Sequence, residues 1–192
     1  KNGSFLDLTA GGELTKLSEL IDKIGNNKSD IKDGKIYTSL DYAFYLNQAF
    51  DEGLYDIETD KSFTALIDEI NHPEKVKVEV PSEIKADLRP YQKVGFEWLS
   101  SLAKYYLGGI LADYMGLGKT LQAITYMASV WKKNGEANFI VVCPSSLLYN
   151  WQDEIENFCP ELKSIMILGN PNDRKDLIAK CNEYQVVLVS YP

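Results

Sequence analysis

The sequence predicts an α/β domain with a parallel sheet over residues 81 to 192, preceded over residues 1 to 80 by a smaller, mostly helical α+β segment. Three observations carry this expectation. Beyond residue 81, short runs of continuous apolar character alternate with helical patterns, the pattern of strands covered on both faces by helices. Before residue 75, apolar residues recur mainly at three-and-four spacing, which belongs to amphipathic helices. Finally, a glycine-rich stretch from Gly108 to Gly118 joins an apolar run to a helical pattern, the joint expected at the end of a buried strand.

Taken in order, Leu14, Leu17, Leu20, Ile21 and Ile24 share one face of a helix over residues 12 to 24, with Gly25 as terminator. Lys35 to Ser39 is a short strand. Ser39 caps a second helix running to about Phe50, closed by Asp51 to Gly53, and Ser62 to Ile70 forms a third. No nucleophile, metal-ligand or phosphate-loop spacing occurs in residues 1 to 75, which read as a structural or interaction module. Pro73, Pro81 and the alternating Val76, Val78 and Val80 mark residues 73 to 88 as a connector. Pro90 suits the first turn of a helix whose Tyr91, Val94, Trp98, Leu99 and Leu102 share a face. A strand (Gly109 to Ala112), a loop and a helix (about Lys119 to Trp131) follow. Next come a strand (Phe139 to Cys143), a helix (about Leu147 to Phe158), a strand (Ser164 to Leu168), a helix (about Asp173 to Cys181) and a strand (Gln185 to Val189).

The formal net charge is −8, from 20 basic and 28 acidic residues. Duplex binding rests on Lys and Arg neutralising phosphates, so this balance argues at first against nucleic acid. Its distribution matters more. Residues 1 to 80 carry 9 Lys against 16 acidic side chains, net −7, whereas residues 81 to 192 carry 11 basic against 12 acidic, net −1. The second part has room for a local basic strip, but composition alone does not predict a DNA binder. Lys132, Lys133, Arg174 and Lys175 read as solvated helix ends. No apolar run approaches the roughly 20 residues that span a bilayer, and no basic-then-apolar leader opens the chain, so a soluble, cytoplasmic protein is expected. Cys143, Cys159 and Cys181 fit neither a disulfide framework nor a zinc pattern and read as reduced core thiols. His72, the one histidine, sits before Pro73 as a turn residue. The chain opens on Lys1 and ends on Pro192 just after an apolar run, so both ends are expected to be cuts through a longer protein.

The glycine-rich stretch carries the chemistry. In Asp113-Tyr114-Met115-Gly116-Leu117-Gly118-Lys119-Thr120, glycines let backbone N–H groups turn inward around phosphate oxygens, and the following helix adds its positive end. Lys119 would reach the β and γ phosphates, and the Thr120 hydroxyl would ligate Mg²⁺. The full GxxxxGK[ST] pattern places glycine at position 113, where this chain has Asp113, so only the GxGKT part is satisfied.

Motif I of superfamily-two helicases commonly lacks that first glycine, and the form AD-x-MGLGKT-x-Q resembles that of the Swi/Snf branch. Leu88-Arg89-Pro90-Tyr91-Gln92, with Gly95 and Trp98, is similar to the segment preceding motif I in this family. Tyr114 departs from it, standing where relatives usually carry Asp or Glu. The stretch Cys143-Pro144-Ser145-Ser146-Leu147 through Asn150-Trp151 to Glu154 resembles motif Ia, and Val187 to Pro192 resembles the strand ending in TSY. Residues 1 to 80 are similar in place and character to the helicase-associated region of bacterial members.

The resemblance implies a partial RecA-like lobe over residues 81 to 192 of an ATP-driven, double-stranded-DNA translocase, bacterial and nucleoid-associated. It implies ATP contacts from Arg89, Gln92, Asp113, Met115, Gly116, Leu117, Gly118, Lys119, Thr120, Leu121 and Gln122, with Gln92 reading adenine. It implies sequence-independent backbone contacts to DNA from Pro144, Ser145, Ser146 and Ser190; on the residues alone, Ser146 is more readily a helix cap, a role compatible with such a contact. Hydrolysis in this class needs an Asp-Glu pair closing a later strand, together with a second RecA-like lobe. The apolar strands here end instead in Cys143-Pro144, Gly169-Asn170 and Ser190-Tyr191. The 192-residue chain is therefore expected to bind ATP but turn it over negligibly. A non-DNA P-loop NTPase and a non-catalytic interaction module are the alternatives.

Overall fold

Apolar strands alternating with helices fold after residue 136 as their pattern dictates. The computed structural model describes residues 19, 22, 31–32, 35–36, 42–51, 59–72 and 75–191. The chain divides into two units, Lys1–His72 and Pro73–Pro192.

In the first unit, β1 (Ile31–Lys32) pairs antiparallel with β2 (Lys35–Ile36). Helix α1 (Ala43–Asp51) packs on α2 (Lys61–Asn71), burying Ala43, Leu66, Ile67 and Ile70. Helix α2 starts one residue before the expected Ser62 because Asp60 is its cap: the Asp60 carboxylate accepts the Phe63 N–H at 2.7 Å. His72 closes the helix, its Nε2 3.8 Å from Asp68. The expected helix over 12 to 24 and the Ser39 cap lie outside the described residues, apart from Glu19 and Asp22, which are helical.

In the second unit, β3 (Phe139–Pro144), β4 (Ser164–Met166) and β5 (Val186–Tyr191) form a parallel sheet in the order β3-β5-β4. Parallel neighbours need crossovers, and the chain supplies α5 (Leu148–Phe158) between β3 and β4 and α6 (Pro171–Ala179) between β4 and β5. Two helices precede the sheet, α3 (Pro90–Lys104) and α4 (Lys119–Asn134). Phe96, Ile124, Leu148, Ile155, Leu162 and Leu188 are fully buried at the centre, joined by Cys143 and Cys159 as free thiols. Val78 and Val80 of the connector pack against this core without forming a strand.

Two expectations change. Gly109 to Ala112 is not a strand. A strand exists through a neighbour's hydrogen bonds, none of the described strands pairs with this segment, and Ile110 is 86% exposed. The buried face of α3 carries Gln92, Phe96, Ser101 and Leu102, not Tyr91 and Val94. Tyr91, Val94 and Trp98 instead line a groove of about 410 Å³ with Ile110, Leu111 and Asp113. Smaller shifts follow local pairing. β4 ends at Met166, where its register with β5 ends; α6 begins at Pro171 because Asn170 accepts the N–H groups of Asn172 and Asp173 at 2.9 and 3.1 Å. No described helix is long and apolar enough to cross a membrane.

Candidate functional site

The loop between α3 and α4 takes its shape from two glycines. Gly116 (φ +81°) and Gly118 (φ +74°) occupy the left-handed region that side chains avoid. A Cβ on Gly116 would meet nothing within 4 Å, whereas one on Gly118 would stand 2.4 Å from Gln92 Nε2. The backbone N–H groups of Gly116, Gly118, Lys119 and Thr120 have no acceptor among the described residues. Those of Gly118, Lys119 and Thr120 are the orphan donors of a helix start, and Gly116 adds a fourth from the same turn. Met115 and Tyr114 form its outer lip, 96% and 86% exposed.

Side chains from three helices converge on this turn. Lys119 Nζ folds back to donate to the carbonyls of Asp113 at 2.7 Å and Tyr114 at 2.9 Å. The Leu117 carbonyl accepts from Gln92 Nε2 at 3.0 Å and from the Tyr91 hydroxyl at 3.2 Å. Gln92 Oε1 accepts the Arg89 N–H at 2.9 Å, so this buried amide ties the start of α3 to the loop. Asp113 Oδ2 accepts from Gln122 Nε2 at 2.8 Å, and Gln122 is wholly buried. Leu121 turns into the core. From α5, burial pushes the Glu154 carboxyl above the ordinary range, with the Thr120 side chain pulling the other way. The Tyr91 hydroxyl and Glu154 had no role in the sequence reading. Glu154 closes the stretch that begins at Cys143, and that position is the signal that could have marked it.

The second group of candidate residues lies at the carboxyl ends of β3 and β5. Pro144 ends β3, and Ser145 to Leu147 form a 3₁₀ turn before α5. Ser146 does not cap α5: the turn moves the helix start to Leu148, Leu147 takes the cap position, and no side-chain cap bond forms. Ser145, Ser146 and Ser190 are exposed, and Ser190 pairs in register with Cys143, next to Pro144 on the neighbouring strand. Two of the helix-end cations are engaged within the protein. Lys132 bridges Glu83 at 2.7 Å and holds the Glu83 carboxyl below the ordinary range, while Arg174 Nε donates to the Gly169 carbonyl at 2.9 Å.

The family model described as SNF2-related domain matches residues 91–192. The chain belongs to the SNF2-related family. A second model, described as bacterial SNF2 helicase associated, matches residues 1–81. Among curated relatives, the TATA-binding protein-associated factor mot1 of Schizosaccharomyces pombe is 37% identical over 150 residues, covering 71% of this chain and 8% of that protein. The chromatin-remodeling ATPase INO80 of Sclerotinia sclerotiorum is 47% identical over 103 residues, covering 53% of this chain and 6% of that protein. The Sulfolobus solfataricus SWI2/SNF2 ATPase core in complex with dsDNA matches with a TM-score of 0.54 and 39% identity, over 60% of this chain and 24% of that one. The chain thus spans about a tenth of the length of the curated relatives it matches. Its three-stranded parallel sheet with flanking helices is the RecA-like fold of the SNF2 ATPase core.

Proposed function

We propose that residues 81 to 192 are part of the ATP-binding lobe of a DNA-dependent ATPase that translocates on double-stranded DNA, with residues 1 to 80 as its helicase-associated segment. In this reading the parent protein is a cytoplasmic, nucleoid-associated bacterial motor. The observation that carries the proposal is the turn at Gly116 to Thr120, where four N–H groups without an acceptor among the described residues and the Lys119 ammonium gather at the start of α4, with open space beside Gly116. That donor set fits a polyphosphate, and the helix end favours its charge.

On nucleotide binding, Lys119 keeps the Asp113 carbonyl and exchanges the Tyr114 carbonyl for phosphate oxygens. Thr120 is the residue that would hold Mg²⁺, which supplies charge neutralisation for phosphoryl transfer. The adenine side falls to Arg89 and Gln92. Gln92 uses one donor and its carbonyl oxygen within the protein, and its second amide hydrogen has no acceptor among the described residues. Ser145, Ser146 and Ser190 offer hydroxyls to a DNA backbone phosphate from adjoining strand ends.

Calorimetric titration of the 192-residue chain with ATP and Mg²⁺ tests the reading. Wild type binds; Lys119→Ala loses on the order of tenfold to a hundredfold in affinity, the loss of charge-assisted contacts. Phosphate release by this chain stays negligible with or without DNA. Equal affinity in the two proteins would leave the chain as an interaction module.

A further inference from the structure

Gln122 sits on the second turn of α4, with none of its side chain exposed. Its Oε1 is buried without a hydrogen-bond partner among the described residues, an arrangement proteins avoid. The neighbouring helix makes room for that oxygen. A Cβ at Gly95 of α3 would stand 1.8 Å from it, so a helix-weakening glycine is needed there to admit the amide. A methionine would fill the same space with no orphan atom. Two unfavourable features therefore meet at one point, and the one bond they serve is that from Gln122 Nε2 to Asp113 Oδ2 at 2.8 Å. The carbonyl of the same Asp113 accepts from Lys119 Nζ at 2.7 Å. Asp113 occupies the place of the first glycine in GxxxxGK[ST], so the mouth of the loop is braced by a side-chain bond where other P-loops have a flexible residue.

We propose that Gln122 is a positioning residue for the phosphate loop: without touching the nucleotide, it holds Asp113 and through Asp113 sets where Lys119 stands. This rests on the nucleotide reading above. The test is ATP·Mg²⁺ calorimetry with thermal melting on the 192-residue chain, comparing wild type, Lys119→Ala, Gln122→Met, Asp113→Ala, Asp113→Asn and the double variant Gln122→Met/Asp113→Ala. Gln122→Met is expected to weaken ATP about tenfold while melting at or above the wild-type temperature, because it removes the orphan oxygen. Asp113→Ala is expected to lose a similar factor, and the double variant no more than either single one, because both remove one bond. Asp113→Asn keeps an acceptor for the Gln122 amide and is expected to lose less than Asp113→Ala.

Wild-type affinity in Gln122→Met, or losses that multiply in the double variant, overturns the proposal. If Gln122→Met fails to fold, the Asp113 pair decides: equal losses in Asn and Ala overturn it. Absence of ATP binding by wild type sinks this proposal and the nucleotide reading together. Loss of binding in Lys119→Ala with full affinity in Gln122→Met sinks this proposal alone.

Discussion

Gly116 and Gly118 share a backbone conformation but answer to different neighbours. Gly116 has open space around it, so an alanine there suffers only the left-handed backbone, about 1 kcal/mol. Gly118 faces Gln92 Nε2, and an alanine would also displace that amide from the Leu117 carbonyl, for a total of about 2 to 3 kcal/mol. Urea unfolding of the two variants checks this, and equal midpoints would show that Gln92 yields freely. The GxGKT spacing made both glycines legible as turn residues. What it concealed is that one of them is also a contact surface for a residue on α3, because a contact between positions 26 apart leaves no trace in local spacing. The fully buried Gln122 was concealed for the same reason, since burial of a polar side chain is decided by the helix packed against it.

At the scale of elements, the sequence resolved those whose stabilising contacts are local or whose apolar runs are long enough to be buried. α3, α4 and α5 appear close to their expected positions, and so do the three strands of the parallel sheet. It failed at Gly109 to Ala112, where composition favoured a strand but no described partner provides hydrogen bonds. It also misjudged the face of α3, which is set by what packs on it. The contact between α4 and α5 yields a prediction of its own. Glu154 is partly buried and its carboxyl is held up mainly by desolvation. A carboxyl with a raised folded-state pKa keeps its proton longer when folded. As pH rises from its ordinary value near 4.5 through the raised one, stability falls, and the penalty persists above that window. Glu154→Gln removes the penalty. Its stability advantage over wild type should grow between about pH 4 and about pH 8 in urea unfolding, while contributions common to both proteins, including the opposite trend from Glu83, cancel in the difference. A pH-independent difference would sink the assignment.

At the scale of the whole molecule, the proposed duplex contact has to reconcile an acidic chain with a polyanion. The charge is −8 overall, with −7 of it in residues 1 to 80, and Lys132 and Arg174 are already engaged within the protein. The proposed DNA-facing groups are instead neutral hydroxyls at Ser145, Ser146 and Ser190, on the ends of two adjacent parallel strands. Charged contacts and neutral ones differ in a measurable way. Each phosphate neutralised by Lys or Arg releases counterions and steepens the dependence of log K on log salt by roughly 0.9, whereas a hydroxyl-to-phosphate hydrogen bond releases none. Removing all three serines as Ser145→Ala/Ser146→Ala/Ser190→Ala should weaken duplex binding by on the order of tenfold, from three neutral hydrogen bonds, while leaving the salt slope unchanged. Fluorescence anisotropy over a salt series gives both quantities from one titration set. An unchanged affinity removes these serines from the DNA surface; a shallower slope means that the substitutions disturbed a basic contact, and that the hydroxyls are not the groups that hold the backbone.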